Sequence, residues 1–296
     1  MPKLLLFLFL LFLSCKDNKQ ILPASTGSFD DIVVVIPDKI WKKYPDKIAD
    51  SIFKQEYPGL QQPEPFFNII KIRSIDFSRI FKTHKNIILF SDQQEDSIII
   101  NLWAYPQIVI HIGLKNVKSQ DKLIKAFEKY REIIYNRQLD KLKLNLPNSN
   151  ISIKNNYGIN VNIPNDYITI TDNKELFWAS HNPPNKDLIK QILVFRLKNI
   201  DEYNFNEFLI NKVDSVLRNT LFGNKKNNYV QIEKRFPIDI NKYKYRGLWR
   251  MSKDFMGGPL LIKAYREKDE VVISLGIIFA PGKQKKKYII ELDAIL

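Results

Sequence analysis

The chain has 296 residues, 45% of them hydrophobic and 26% charged, which supplies enough apolar material for packed cores, favours two domains over one and excludes a disordered tail. Its net charge of +14 rests on 36 lysines and only 10 arginines, alongside 42 isoleucines and 26 asparagines, a bias that A/T-rich codons share; the lysines are scattered, and nucleic acid is not an expected partner. The single cysteine, Cys15, excludes an intramolecular disulfide and leaves a free thiol, an intermolecular link or a modified side chain.

The N-terminus selects among these. Lys3 is a minimal positive region, and Leu4 to Leu13 is a ten-residue apolar run, too short for a permanent membrane span and of the length of an export signal. Ser14-Cys15 after this run resembles a bacterial lipobox, although Phe12 and Leu13 depart from the usual residues there. That resemblance implies a signal peptide over residues 1–14 and a covalent lipid on Cys15, with no other cofactor expected. Each acyl methylene buried in a bilayer contributes about 0.8 kcal/mol, so several chains hold the protein firmly. Residues 15–28 then read as a lipidated tether reaching about 20 Å if it behaves as a coil. The "LPASTG" within it is one residue too long for a sortase signal and lies at the wrong end.

Beyond the tether, Ile32 to Ile36 are five consecutive β-branched residues, the pattern of a strand covered on both faces, ended by Pro37. "YPDKIADSIFKQE" has a short helical stripe and is followed by the turn "PGLQQPEP". "FFNIIKIR", "NIILFS", "SIIINLWA" and "QIVIHIG" read as strands. Leu123, Phe127, Tyr130 and Ile134 recur at helical spacing in "SQDKLIKAFEKYREIIYNRQLDKL". These elements make an N-terminal α/β domain, residues 29–145, ended by a linker near "KLNLPNSN".

The second domain, residues 151–296, is expected to open with paired strands "YGINVNIP" and "ELFWASHN" and to continue through "ILVFRLK" into the helix "FNEFLINKVDSVLRNTLF". The strands "YVQIEKRFP", "KYKYRGLWRM", "PLLIKAYRE" and "EVVISLGIIFA" follow, with a final helix at "KKYIIELDAIL". The fold class is α+β, two units with mainly antiparallel sheets packed by helices, the second PsbP/Mog1-like by analogy. In "NKYKYRGLWRM" the odd positions Tyr243, Tyr245, Gly247, Trp249 and Met251 form an apolar face, and the even positions Lys242, Lys244, Arg246, Leu248 and Arg250 a mostly basic one. The basic face reads either as solvated sheet or as a surface for an anionic ligand, its candidates Lys244, Arg246 and Arg250. In "DFMGGP", Gly257 and Gly258 read as a turn using positive φ, or as a backbone-lined ligand loop. The run "KQKKKY", Lys283 to Tyr288, reads as a solvated turn ahead of phosphate binding.

Taken together, the lipobox, "DIVVVIPDKIW", "PGLQQPEPFF", "KTHKNIILF", "WAYPQIVIHI", "RGLWRM", "DFMGGP" and the C-terminal "IIFAPGKQKKKYIIELDAIL" resemble the Bacteroidetes lipoproteins grouped as domain-of-unknown-function family 4837, over nearly the whole mature chain. The resemblance implies an envelope location and brings no catalytic residue with it.

No G-x-S-x-G elbow, H-E-x-x-H, P-loop or dinucleotide fingerprint occurs, and His84, His111 and His181 have no metal-site spacing; no metal or catalytic residue is assigned. His111 reads as a hydrogen-bonded packing residue. The expected function is a lipid-anchored cell-envelope protein, facing outside the cytoplasm and most simply on the outer membrane, that binds or scaffolds an envelope protein or an anionic surface. The alternative is an extracytoplasmic hydrolase whose site is assembled only in space.

Overall fold

The computed structural model describes residues 21–41, 44–198, 200–267 and 270–296. The signal peptide expected over residues 1–14 and the expected lipidation site Cys15 lie outside these residues. The chain divides into two compact units, one formed by residues up to 46 and 69–123, the other by residues 47–68 and 124–296. Its helices are α1 (Tyr44–Phe53), α2 (Arg79–Lys82), α3 (Leu114–Val117), α4 (Gln120–Lys143), α5 (Ile151–Tyr157), α6 (Phe205–Thr220) and α7 (Lys286–Ile295). None among the described residues is long and apolar enough to cross a membrane.

The first unit holds a five-stranded sheet. β1 (Asp31–Ile36), β2 (Asn68–Arg73), β3 (Asn86–Phe90), β4 (Ser97–Ile100) and β5 (Ile108–Ile112) stand in the order β2-β1-β3-β5-β4. β1 pairs with β3, and β3 with β5, in parallel, and β4 runs antiparallel to β5. The expectation of a mainly antiparallel sheet therefore fails in this unit. The signal was in the unbroken apolar runs, since parallel sheets bury both faces and antiparallel ones more often alternate. Val33, Val35, Ile87 and Val109 form one core face, while Ile32, Val34, Ile36, Ile88 and Ile110 are buried on the other.

Part of the expected tether is not coil. From Pro23 onward it is bonded to this unit: Tyr105 N donates to Pro23 O at 2.9 Å, Ser25 N to Tyr105 O at 2.9 Å and Thr26 N to Thr83 O at 2.8 Å.

In the second unit, the expected strand "YGINVNIP" is instead the end of α5 and a stretch without regular secondary structure. Asn150 caps the helix by accepting from Ile153 N at 3.1 Å, and Gly158, at φ 74°, ends it in the left-handed conformation. The strand that pairs with β7 (Leu176–His181) is β6 (Ile168–Asp172). With β8 (Ile189–Lys198), β9 (Val230–Ile232), β10 (Asp239–Asn241), β11 (Lys244–Met251), β12 (Gly257–Arg266) and β13 (Glu270–Phe279) they form an antiparallel sheet ordered β10-β11-β12-β13-β8-β7-β6, with β9 also on β11.

One face of this sheet packs on α6. Leu209, Val213 and Leu217 of the helix join Tyr245, Trp249, Met251, Leu260, Ile262, Ile273 and Ile277 in a single core, where each large apolar side chain contributes roughly 1.5–3 kcal/mol. The opposite face carries α7 against β12 and β13. Gly276 permits that approach: a Cβ there would lie 2.6 Å from Leu292 Cδ1. The basic run before α7 is not a free turn either. Glu64 accepts from the backbone N–H groups of Lys285 and Lys286 at 2.6 and 3.2 Å, placing a carboxylate at the helix N-terminus, and Lys286 Nζ donates to Pro65 O at 2.8 Å.

Candidate functional site

β11 alternates as its sequence requires, with Tyr245, Trp249 and Met251 in the core. The Trp249 indole N–H donates to Ile278 O at 3.0 Å, so its polar edge is satisfied. The other face is covered at its centre, where Arg246 is 7% and Leu248 6% exposed, while Lys242 and Arg250 toward its ends keep the solvated character that was one of its two readings. The turn "PGLQQPEP" covers Arg246, since a Cβ on Gly59 (φ 78°) would stand 2.7 Å from Arg246 Cβ, and only glycine suits both the contact and the dihedral. Arg246 also lies 5.6 Å from the centre of the Tyr57 ring.

The antiparallel register of β11 and β12 sets Lys244 directly opposite Lys263. Like charges so placed repel. What stands between them is Asp293, in the last turn of α7 and 1% exposed. Lys244 Nζ donates to its Oδ1 and Oδ2 at 2.9 and 2.8 Å, Lys263 Nζ is 3.0 Å from Oδ1, and Arg246 Nη2 is 3.5 Å from Oδ2. Lys263 Nζ also donates to the Asp293 backbone carbonyl at 2.6 Å, satisfying one of the free acceptors at the helix end. Tyr135 OH donates to Oδ2 at 2.8 Å and is itself 2.8 Å from Tyr57 OH. One carboxylate thus serves three cations and a phenol.

The electrostatics follow from this excess of cations. Burial alone would raise the Asp293 carboxyl, but Lys263 and Lys244 outweigh it and hold the group well below the usual carboxylate range. Burial pushes the Lys263 ammonium down to about 8, against the pull of Asp293 and with a further push from Lys244. For Arg246, burial acts downward and is overcome by Tyr57, Tyr135 and Asp293, so it stays charged, with its Nε lacking a hydrogen-bond partner among the described residues. Burial raises both Tyr57 and Tyr135, which remain neutral phenols.

Tyr135, Lys244, Arg246 and Lys263 of this cluster line one wall of a cleft of about 540 Å³. Its cations are Arg131, Lys242, Lys244, Arg246 and Lys263; its carboxylates, Glu56, Glu132 and Asp239. That wall can offer ammonium donors to an acid group. Among the described residues no histidine lines the cleft, and no group of three or more His, Cys, Asp or Glu side chains is placed to hold a metal ion.

The remaining candidates separate. Arg250 lies outside this cleft and pairs with Glu233, its Nε 3.3 Å from Oε2, so it does not join Lys244 and Arg246 at one site. Gly257 and Gly258 are not a positive-φ turn but the first residues of β12, opposite Arg250 and Trp249. Their small size serves close packing: a Cβ on Gly258 would lie 2.1 Å from Ile278 O, and one on Gly257 2.8 Å from Trp249 O. Neither lines this cleft or a second one of about 550 Å³, which Asp254 and Met256 border with Trp178, Trp249 and Met251. His111 is half-buried and its Nε2 has no hydrogen-bond partner among the described residues, while His181 Nδ1 sits 3.1 Å from Asp166 Oδ2. Sequence reading missed Lys263, Asp293, Tyr57 and Tyr135. An Asp inside the largely apolar final stretch "YIIELDAIL", two residues after Glu291, was the available signal.

The family profile described as Domain of unknown function (DUF4837) matches residues 146–296, and another, Domain of unknown function (DUF8532), matches residues 25–143. The resemblance expected over nearly the whole mature chain is thus divided: "RGLWRM" and "DFMGGP" fall under the first profile, "DIVVVIPDKIW" and "PGLQQPEPFF" under the second. Comparison with curated proteins gives no match. Among solved structures, the human StarD13 (DLC2) lipid transfer and protein localization domain aligns at 9% identity over 44% of this chain and 86% of that one, with a TM-score of 0.19, too low to carry an argument. The PsbP/Mog1 likeness is not confirmed.

Proposed function

We propose that this chain, which belongs to the DUF4837 family of domains of unknown function, is a lipid-anchored protein of the cell envelope that binds an anionic ligand in the cleft walled by Lys244 and Lys263. The observation that carries the binding reading is the charge imbalance of the cleft wall, where Lys244, Lys263 and Arg246 meet Asp293 and only Arg246 has a further carboxylate, Asp239 at 3.4 Å. A cationic surface in a partly desolvated cleft attracts an acid group more strongly than the same charges in open water. Lys244 and Lys263 keep part of their side chains accessible, at 27% and 17%.

The anchor reading rests on the lipobox-like Ser14-Cys15 behind the apolar run Leu4 to Leu13. It makes the membrane a partner through a lipid on Cys15 and sets the folded units outside the cytoplasm, on the outer membrane.

Calorimetric titration of the full chain with inorganic phosphate and with acetate tests the binding reading. Saturable binding that weakens as salt rises, falls at least fivefold in Lys244→Gln and is unchanged in Arg250→Gln is the expected result. No saturable binding, or equal loss in both variants, refutes it.

A further inference from the structure

The cleft is not lined by cations alone. Its more exposed lining sets Glu56, Glu132, Asn136 and Asn241 beside Lys242, and Tyr243 and the half-buried Phe66 supply ring faces. The carboxylates Glu56 and Glu132 form no ion pair within the 4 Å limit among the described residues, so they face an incoming ligand as charges. A polyanion would bring its further charges against them. An extended anionic surface, the partner expected from a basic strand, would meet these like charges, and like charges in juxtaposition suppress a partner. The outer lining suits a neutral part rich in hydroxyls: carboxylates and amide oxygens accept from O–H groups, amide nitrogens donate to them, and ring faces cover the C–H side of a pyranose. The volume, about 540 Å³, lies within the range of small-molecule sites.

Resting on the anion-binding reading above, we infer that the ligand of this cleft is a small polyhydroxylated acid, a sugar acid or sugar phosphate, with its acid group on the accessible sides of Lys244 and Lys263, away from Asp293, and its hydroxyls against Glu132, Asn136 and Asn241. The two acid groups share the chemistry that two ammonium donors recognise, since both present several anionic oxygens.

Titration of the full chain with D-glucuronate, glucose 6-phosphate, acetate, inorganic phosphate, glucose and polyphosphate tests this. One of the two sugar acids should bind at least tenfold tighter than acetate and inorganic phosphate, glucose should bind at least tenfold more weakly than that acid, and the preferred acid distinguishes carboxylate from phosphate. Asn136→Ala combined with Asn241→Ala, both exposed positions with little expected effect on folding, should lower sugar-acid affinity at least threefold and leave acetate binding unchanged. If acetate or phosphate binds as well as the sugar acids, or polyphosphate binds tighter than either, the sugar inference falls and the anion reading stands. If the asparagine variant binds the sugar acid as the parent does, the assignment to this cleft is overturned. Binding by none of the probes removes both readings.

Discussion

Lys244 and Lys263 stand opposite each other in the β11–β12 ladder, and both reach Asp293, at 2.8 and 3.0 Å. The arrangement inverts the ordinary surface ion pair, where one exposed cation meets one exposed anion with little gain. Here a fully buried carboxylate is what lets two lysines and Arg246 share one sheet face, and the stability of that face depends on it.

Asp293→Asn should therefore destabilise the second unit by about 3–5 kcal/mol, the scale of a buried ion pair broken on one side. Urea unfolding measures it, and Lys263→Met in the same chain should recover part of the loss by removing an uncompensated charge. A change under about 1 kcal/mol in Asp293→Asn would show that the cations are neutralised some other way.

Lys263 sets a pH dependence of known sign. Its folded value, about 8, lies below the ordinary lysine value of 10.5, so between these values the unfolded chain holds the extra proton and stability rises with pH. The cost of keeping the buried ammonium charged is fully present below pH 8 and is relieved by pH 10.5. Unfolding free energies at pH 7.5, 9 and 10 should climb more steeply in the parent than in Lys263→Met. Parallel slopes would mean that this lysine titrates as an ordinary one.

Gly258→Ala tests the packing assignment for "DFMGGP". The added Cβ would meet Ile278 O, a backbone atom that cannot swing away as a side-chain tip can, and overpacking of this kind costs roughly 1–3 kcal/mol. Thermal melting should register the loss. A neutral substitution would reopen the loop as a site kept for a ligand.

Cys15→Ser tests the proposed anchor. It should abolish acyl labelling and move the protein from the membrane to the soluble fraction. Wild-type retention after carbonate washing would remove the lipid from the account.

Period and punctuation were legible wherever the responsible residues are neighbours in sequence. The five β-branched residues of β1, the stripe of α4 and the alternation of β11 each follow from local geometry, and the structure buries Ile32 to Ile36, Phe127, Ile134, Tyr245 and Trp249 accordingly. The cap pair Asn150 and Gly158 was equally present in the sequence and marked α5, yet the apolar alternation of "GINVNI" outweighed it. What no local pattern contains is the identity of the layer that lands on a given face. Alternation states that Lys244 and Arg246 share a face of β11, but not whether water or protein covers it. That was decided by Gly59, which brings a turn onto Arg246, and by Asp293 and Tyr135, which meet at 2.8 Å across 158 residues of chain. A charge is stable on a buried face only when a counter-charge arrives there. Its arrival is a property of the packed layers and of no segment read alone.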